Sequence, residues 1–203
     1  MPNWCNNTIE VLGQEEELKF FMEEVSSCKS KFDFRKIIPY DEEQRENCKK
    51  EWLLKKETKE IKERSIDDDF EQYWYKKLGY TWCIVNWGTK WFVNEVCVNK
   101  YNGCVEFFFA TAWNPPYEIY KTIIERFPKL TFEISYDEPS MLFGGDIHGE
   151  GGKISSEEYD LENAFCPDCK SDGEATKREY EEKFICPNCG KEFTEKESWK
   201  EDD

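Results

Sequence analysis

Between Asn6 and Tyr136 the spacing of apolar residues switches repeatedly between the period of a strand and that of a helix, and the order of the switches leaves few folds open. In NNTIEVLG, Ile9 and Val11 alternate with Thr8 and Glu10 until Gly13, as in a half-buried strand. QEEELKFFMEEV then sets Leu18, Phe21, Met22 and Val25 on one helical face, with acidic residues in the first turn where the helix dipole favours them. EVCVNKYNGCVEFFFATAW is two β-rich runs around Asn102-Gly103, a tight-hairpin pair because both residues tolerate positive φ. Its second run, Cys104 to Ala112, is apolar with little alternation and predicts a central strand covered on both faces. NPPYEIYKTIIERFP predicts a second helix, capped by Asn114 with prolines in its first turn and with Tyr120, Ile123, Ile124 and Phe127 aligned. LTFEISY alternates strictly and closes the series. The order is βαββαβ, an α+β fold with the ferredoxin-like split βαβ arrangement. Right-handed crossovers put both helices on one face of the sheet, so the other face needs a cover or a ligand.

The first helix and the second strand are separated by an insertion. FDFRKIIP reads as an added edge strand. Residues 40–80 read as charged, exposed helices with Trp52, Leu53 and Trp74 as apolar anchors, a solvated lid in the main. The 203-residue chain suits one domain plus a small module. Its 44 acidic against 28 basic residues give a charge of -16, which repels phosphate backbones and argues against direct nucleic-acid binding. No signal-peptide pattern and no run of about 20 apolar residues is present, so a soluble cytoplasmic protein is expected.

In a reducing compartment, cysteines are read as metal ligands or buried thiols before disulfides. Cys166, Cys169, Cys186 and Cys189 form two CxxC pairs, CPDC and CPNC, at the spacing of a zinc ribbon. Two such turns, brought together by a hairpin, offer four thiolates to one tetrahedral Zn²⁺, a structural site with no open position. Residues 151–203 carry 16 acidic and 8 basic side chains, so this ribbon lacks the basic face of a nucleic-acid binder and reads as a protein-contacting module. The acidic stretch 153–163 is the expected boundary between a domain of residues 1–155 and a ribbon with acidic tail at 156–203.

MPNWCNNTIEVLG at the start, NWGTKW, FFFATAWNPP and EPSMLFGGDIHGEGG together resemble the YubB-type ferredoxin-like proteins of phages, plasmids and some bacterial genomes, over roughly residues 1–155. The resemblance implies the split βαβ fold and no particular activity. It carries over Asn3, Trp4 and Cys5; Asn86, Trp87, Gly88, Lys90 and Trp91; Trp113, Pro115 and Pro116; and Gly144 and Gly145. The ribbon is an addition to that pattern.

For a site, the residues leave two readings of the tryptophans. Trp82, Trp87, Trp91 and Trp113 fill or cover the core, or Trp87, Lys90, Trp91 and Trp113 wall a groove for a nucleotide-like or anionic small molecule. His148, the single histidine, sits in the glycine-flanked GGDIHGEGG, which reads as a loop and lacks the GK[ST] of a P-loop; it is either a loop residue or a further ligand contact. Asp67, Asp68 and Asp69 either cap a helix or hold a hard cation. Cys5, Cys28, Cys48, Cys83, Cys97 and Cys104 read as buried thiols. The expected function is a non-enzymatic binding protein of a mobile element, acting on a host protein or a small host molecule. The alternatives are an acidic DNA mimic that occupies a nucleic-acid-binding host protein, and an enzyme or sponge for a small nucleotide.

Overall fold

The computed structural model describes residues 3–58, 60, 69–93, 95–164, 166–169, 175–178, 181–194 and 197–198. Its strands are β1 (Trp4–Leu12), β2 (Cys97–Tyr101), β3 (Cys104–Ala112), β4 (Thr131–Glu138), β5 (Phe143–Glu150), β6 (Lys153–Ala164) and β7 (Ala175–Arg178), with a small pair, β8 (Phe184–Ile185) and β9 (Glu192–Phe193). The helices are α1 (Glu15–Val25), α2 (Phe34–Ile37), α3 (Glu42–Glu57), α4 (Phe70–Trp74), α5 (Tyr80–Trp87) and α6 (Tyr117–Arg126), and a π-helical turn, Tyr75–Gly79, joins α4 to α5.

The strands form one antiparallel sheet in the order β2-β3-β1-β4-β5-β6-β7. Its first four strands, with α1 and α6 as crossovers, are the predicted ferredoxin-like unit. Alternation decides which side chains enter the core: Ile9 and Val11 from β1, Val105 and Phe107 from β3 and Phe132 and Ile134 from β4 are buried on one face. Against them pack Leu18, Phe21 and Val25 of α1 and Ile119, Tyr120, Ile123 and Ile124 of α6.

Several local expectations are corrected. FDFRKIIP forms no edge strand. Asp33 caps a short helix by accepting from the Arg35 amide, and Phe34 and Ile37 of that helix are buried. Asn114 does not cap α6; Pro116 occupies that position without a side-chain bond. β3 is not covered on both faces, since Phe108 and Ala110 are exposed between buried neighbours. GGDIHGEGG is not a loop but β5 and the turn after it, with Gly151 and Gly152 at positive φ. The stretch 153–163 lies within β6, paired with β5 along Lys153 to Asp160, so it continues the sheet instead of linking domains.

In the insertion, α3, α4 and the π turn gather a second cluster of Cys48, Tyr73 and Trp74, with Tyr40, Trp52 and Phe70 against it. Leu53 is no anchor; it faces solvent. Asp69 caps α4 by accepting from the Glu71 and Gln72 amides, while Asp67 and Asp68 lie outside the described residues.

Candidate functional site

The residues that carry the family resemblance converge on one end of β1 and β3. Asn7 anchors this end from within: its amide donates to the Cys5 carbonyl at 2.8 Å and to Thr111 Oγ1 at 3.0 Å, and its oxygen accepts from Tyr120 Oη at 2.6 Å. All of these groups are buried, so the network holds β1 against β3 and α6 in one arrangement. Trp4 and Ala112 are cross-strand partners, and the Trp113 amide bonds the Asn3 carbonyl at 3.0 Å.

NWGTKW is docked onto this end by its own glycine and threonine. Gly88 closes α5 at φ +82°, where a β-carbon would lie 3.1 Å from the Pro115 carbonyl and from the Tyr117 amide. Positive φ and close approach together require glycine there. Thr89, buried next to it, donates from Oγ1 to the Ala112 carbonyl at 3.1 Å. The π turn contributes Tyr75, whose hydroxyl donates to the Lys90 carbonyl at 3.1 Å. Gly79 permits that turn, because a β-carbon there would overlap the Trp74 ring at 2.3 Å.

The tryptophans then divide. Trp87 is fully buried, its Nε1 donates to the Ile38 carbonyl at 3.0 Å, and Phe34, Tyr40 and Trp82 ring it at 5.8, 5.1 and 5.3 Å between centroids. It is core and walls no groove. Trp91, Trp113 and Lys90 do come together, and Trp4 joins them: Trp4 and Trp91 meet edge to face at 6.4 Å, while Trp4 is 46% and Trp113 48% exposed. The Lys90 ammonium sits 3.0 Å from the Trp113 ring centroid and about 6 Å from those of Trp91 and Tyr80. That cation is therefore engaged by aromatic faces instead of standing free for an anion. Trp113 itself has φ +73°, a left-handed backbone that bulky residues rarely adopt.

His148 belongs elsewhere. It lies on β5 in the cross-strand row of Glu133 and Glu10, and its Nδ1 is 2.8 Å from Glu133 Oε1. Glu10 is six residues along β1 from Trp4, roughly 20 Å at strand rise, so His148 is not part of the aromatic patch. Sequence reasoning missed Trp4 as a site residue, although its place in the start motif was a usable signal. A groove of about 790 Å³ between α1 and the β2–β3 hairpin, lined by Leu18, Met22, Cys28, Tyr101 and Val105, includes none of the predicted site residues.

At the other end of the chain, Cys166, Cys169, Cys186 and Cys189 bring their sulfurs within 4.8 Å of one another. Cys166 and Cys189 lie 3.7 Å apart and Cys169 and Cys186 3.5 Å. Four sulfurs tetrahedral about an ion at about 2.3 Å lie about 3.8 Å apart, so the spacing fits a metal ion. The Cys189 and Asn188 amides point at the Cys186 sulfur and hold its thiol below the usual range, whereas, against the lowering Lys191 amide, the crowding Cys186, Cys166 and Cys169 sulfurs push the Cys189 thiol up to about 12. Phe184 and Phe193 stack at 5.4 Å beside the thiols.

A family model described as the ferredoxin-like domain in Api92-like protein matches residues 86–187, just over half of the 203-residue chain. The chain belongs to the Api92-like family. The match starts at Asn86 of NWGTKW and runs past residue 155, through β6 to Pro187. Among solved structures, this Api92-like chain is similar to the protein Api92 from Yersinia pseudotuberculosis, at 11% identity and a TM-score of 0.48, over 78% of this chain and 98% of that one. No curated protein matches it. Among the described residues no helix is long and apolar enough to cross a membrane.

Proposed function

We propose that this Api92-like protein is a non-enzymatic binding protein, and that Trp4, Trp91 and Trp113, gathered around Lys90, form its docking patch for a host protein or a small host molecule. Trp113 carries the reading. A left-handed backbone costs such a residue about 1–2 kcal/mol, and a half-exposed indole forgoes much of the stabilisation that burial would bring. Neither helps the chain to fold, whereas a partner that covers the ring would benefit from both its shape and its apolar area.

The remaining chemistry supports binding over catalysis. Burial pushes the Cys5 and Cys83 thiols up to about 12, which leaves almost no thiolate nucleophile near neutral pH. His148, the single histidine, pairs with Glu133 away from the patch. The four-cysteine cluster is read as a structural Zn²⁺ site, one ion per chain, because four thiolates fill the coordination sphere and leave no place for a substrate. None of the ten cysteines forms a disulfide, which suits a reducing cytoplasm, here that of a bacterial host of a phage or other mobile element carrying a YubB-type gene.

Affinity capture from a bacterial lysate with the wild type and with a Trp4→Ala/Trp113→Ala variant, followed by reconstitution with the purified partner, tests this. A partner held by the wild type and lost by a still-folded variant is expected. Identical capture by both, or turnover of a nucleotide by the purified chain, would sink the proposal.

A further inference from the structure

Among the described residues, the sheet face opposite the helices carries no covering layer, and its charges stand in register. One cross-strand row runs Asn99, Glu106, Glu10, Glu133 and His148 across β2, β3, β1, β4 and β5. Three carboxylates therefore occupy directly opposed positions on three adjacent strands. Neighbouring strands lie about 4.8 Å apart, and like charges set directly opposite destabilise a sheet. A neighbouring row adds Asp146 beside Glu157.

Among the described side chains, few basic groups lie on this face. His148 meets Glu133, and Lys153 lies at the far turn opposite Glu150. Glu10 receives the Cys104 thiol at 3.5 Å and Glu106 the Asn99 amide at 3.3 Å, both neutral donors. Exposed apolar surface adjoins the row: Phe108 is 37% exposed. Phe108 points to the same side as Glu106, by the alternation of β3.

We infer that this open face docks a lysine- and arginine-rich segment of a protein partner, with the carboxylate row taking its cations and Phe108 their apolar stems. The inference rests on the binding-protein reading and assigns the partner's chemistry. Charge complementarity selects the occupant: a net charge of -16 draws cationic proteins and repels nucleic acid, and cations between opposed carboxylates relieve the repulsion that folding leaves in place.

Fluorescence anisotropy of a short labelled peptide of arginine, lysine and glycine, titrated with the full chain at low salt, provides the test. The Glu10→Gln/Glu106→Gln/Glu133→Gln variant should bind about tenfold more weakly, and Glu42→Gln/Glu43→Gln/Glu46→Gln, of equal net charge but changed on α3, within about twofold of the wild type. Equal weakening in both would reduce the effect to net charge and overturn the inference, as would unchanged binding by the face variant. The face variant should also melt at or above the wild type, since repulsion is relieved; a lower melting temperature contradicts the premise. If the peptide arm fails while a partner captured through Trp4 and Trp113 persists, the inference falls and the binding-protein reading stands.

Discussion

Trp87 and Trp113 look alike in the sequence, and the fold gives them opposite work. Trp87→Ala should open a large cavity in a site that Phe34, Tyr40 and Trp82 cannot collapse into, at a cost of about 3–5 kcal/mol in denaturant unfolding. Lys90→Ala should cost about 1 kcal/mol or less in the same measurement, because it removes a cation–π contact at a partly exposed ring. Trp113→Gly is the sharper variant: glycine adopts φ +73° without strain, so stability should hold within about 1 kcal/mol or rise while partner capture is lost. A melt that drops steeply for Trp113→Gly would make that ring structural. The sequence could not separate the two tryptophans, since what buries Trp87 is Phe34, Tyr40 and the Ile38 carbonyl, which the chain brings back from far upstream. The sulfur cluster was legible because two CxxC turns and a hairpin settle it locally.

At the scale of elements, strong periods were readable and weak ones were not. β1, α1, α6 and β4 each carry an unbroken apolar stripe, and the Asn102-Gly103 pair marked its hairpin. β5 was hidden by glycines and β6 by acidic residues, because neither offers the apolar alternation that identifies a strand. The structure supplies the reason for the glycines: a β-carbon at Gly149 would lie 2.6 Å from Ile124 of α6, and one at Gly145 would lie 2.3 Å from the Tyr136 hydroxyl. β5 therefore slides under residues already placed by α6 and β4. Gly149→Ala should force Ile124 off its rotamer and cost roughly 1–3 kcal/mol in thermal or denaturant unfolding, whereas Ser155→Ala on exposed β6 should change little. Equal stability of the two variants would mean that α6 can shift away from the sheet.

Across the whole molecule, the apolar residues fall into separate clusters, and their sizes say which part would need a metal to order it. The sheet, α1 and α6 share a core with Phe21, Phe107, Phe132 and Ile123 at its centre. The cluster around Phe184, Phe193 and Ala164 is far smaller and has the thiols for neighbours. Two buried phenylalanines and an alanine make too small a core to hold such a segment by apolar burial alone. A structural metal ion contributes folding free energy outright in small sites of this kind. Removal of the metal by a chelator, or Cys166→Ser, should therefore raise hydrogen exchange at Phe184–Ile185 and Glu192–Phe193 while β1, β3 and β4 keep their protection. Elemental analysis should find about one zinc per chain before treatment and none after. Unchanged exchange in the metal-free protein would show that the sulfurs need no ion, and loss of protection in β1 would show that the sheet leans on the cysteine cluster for its own stability.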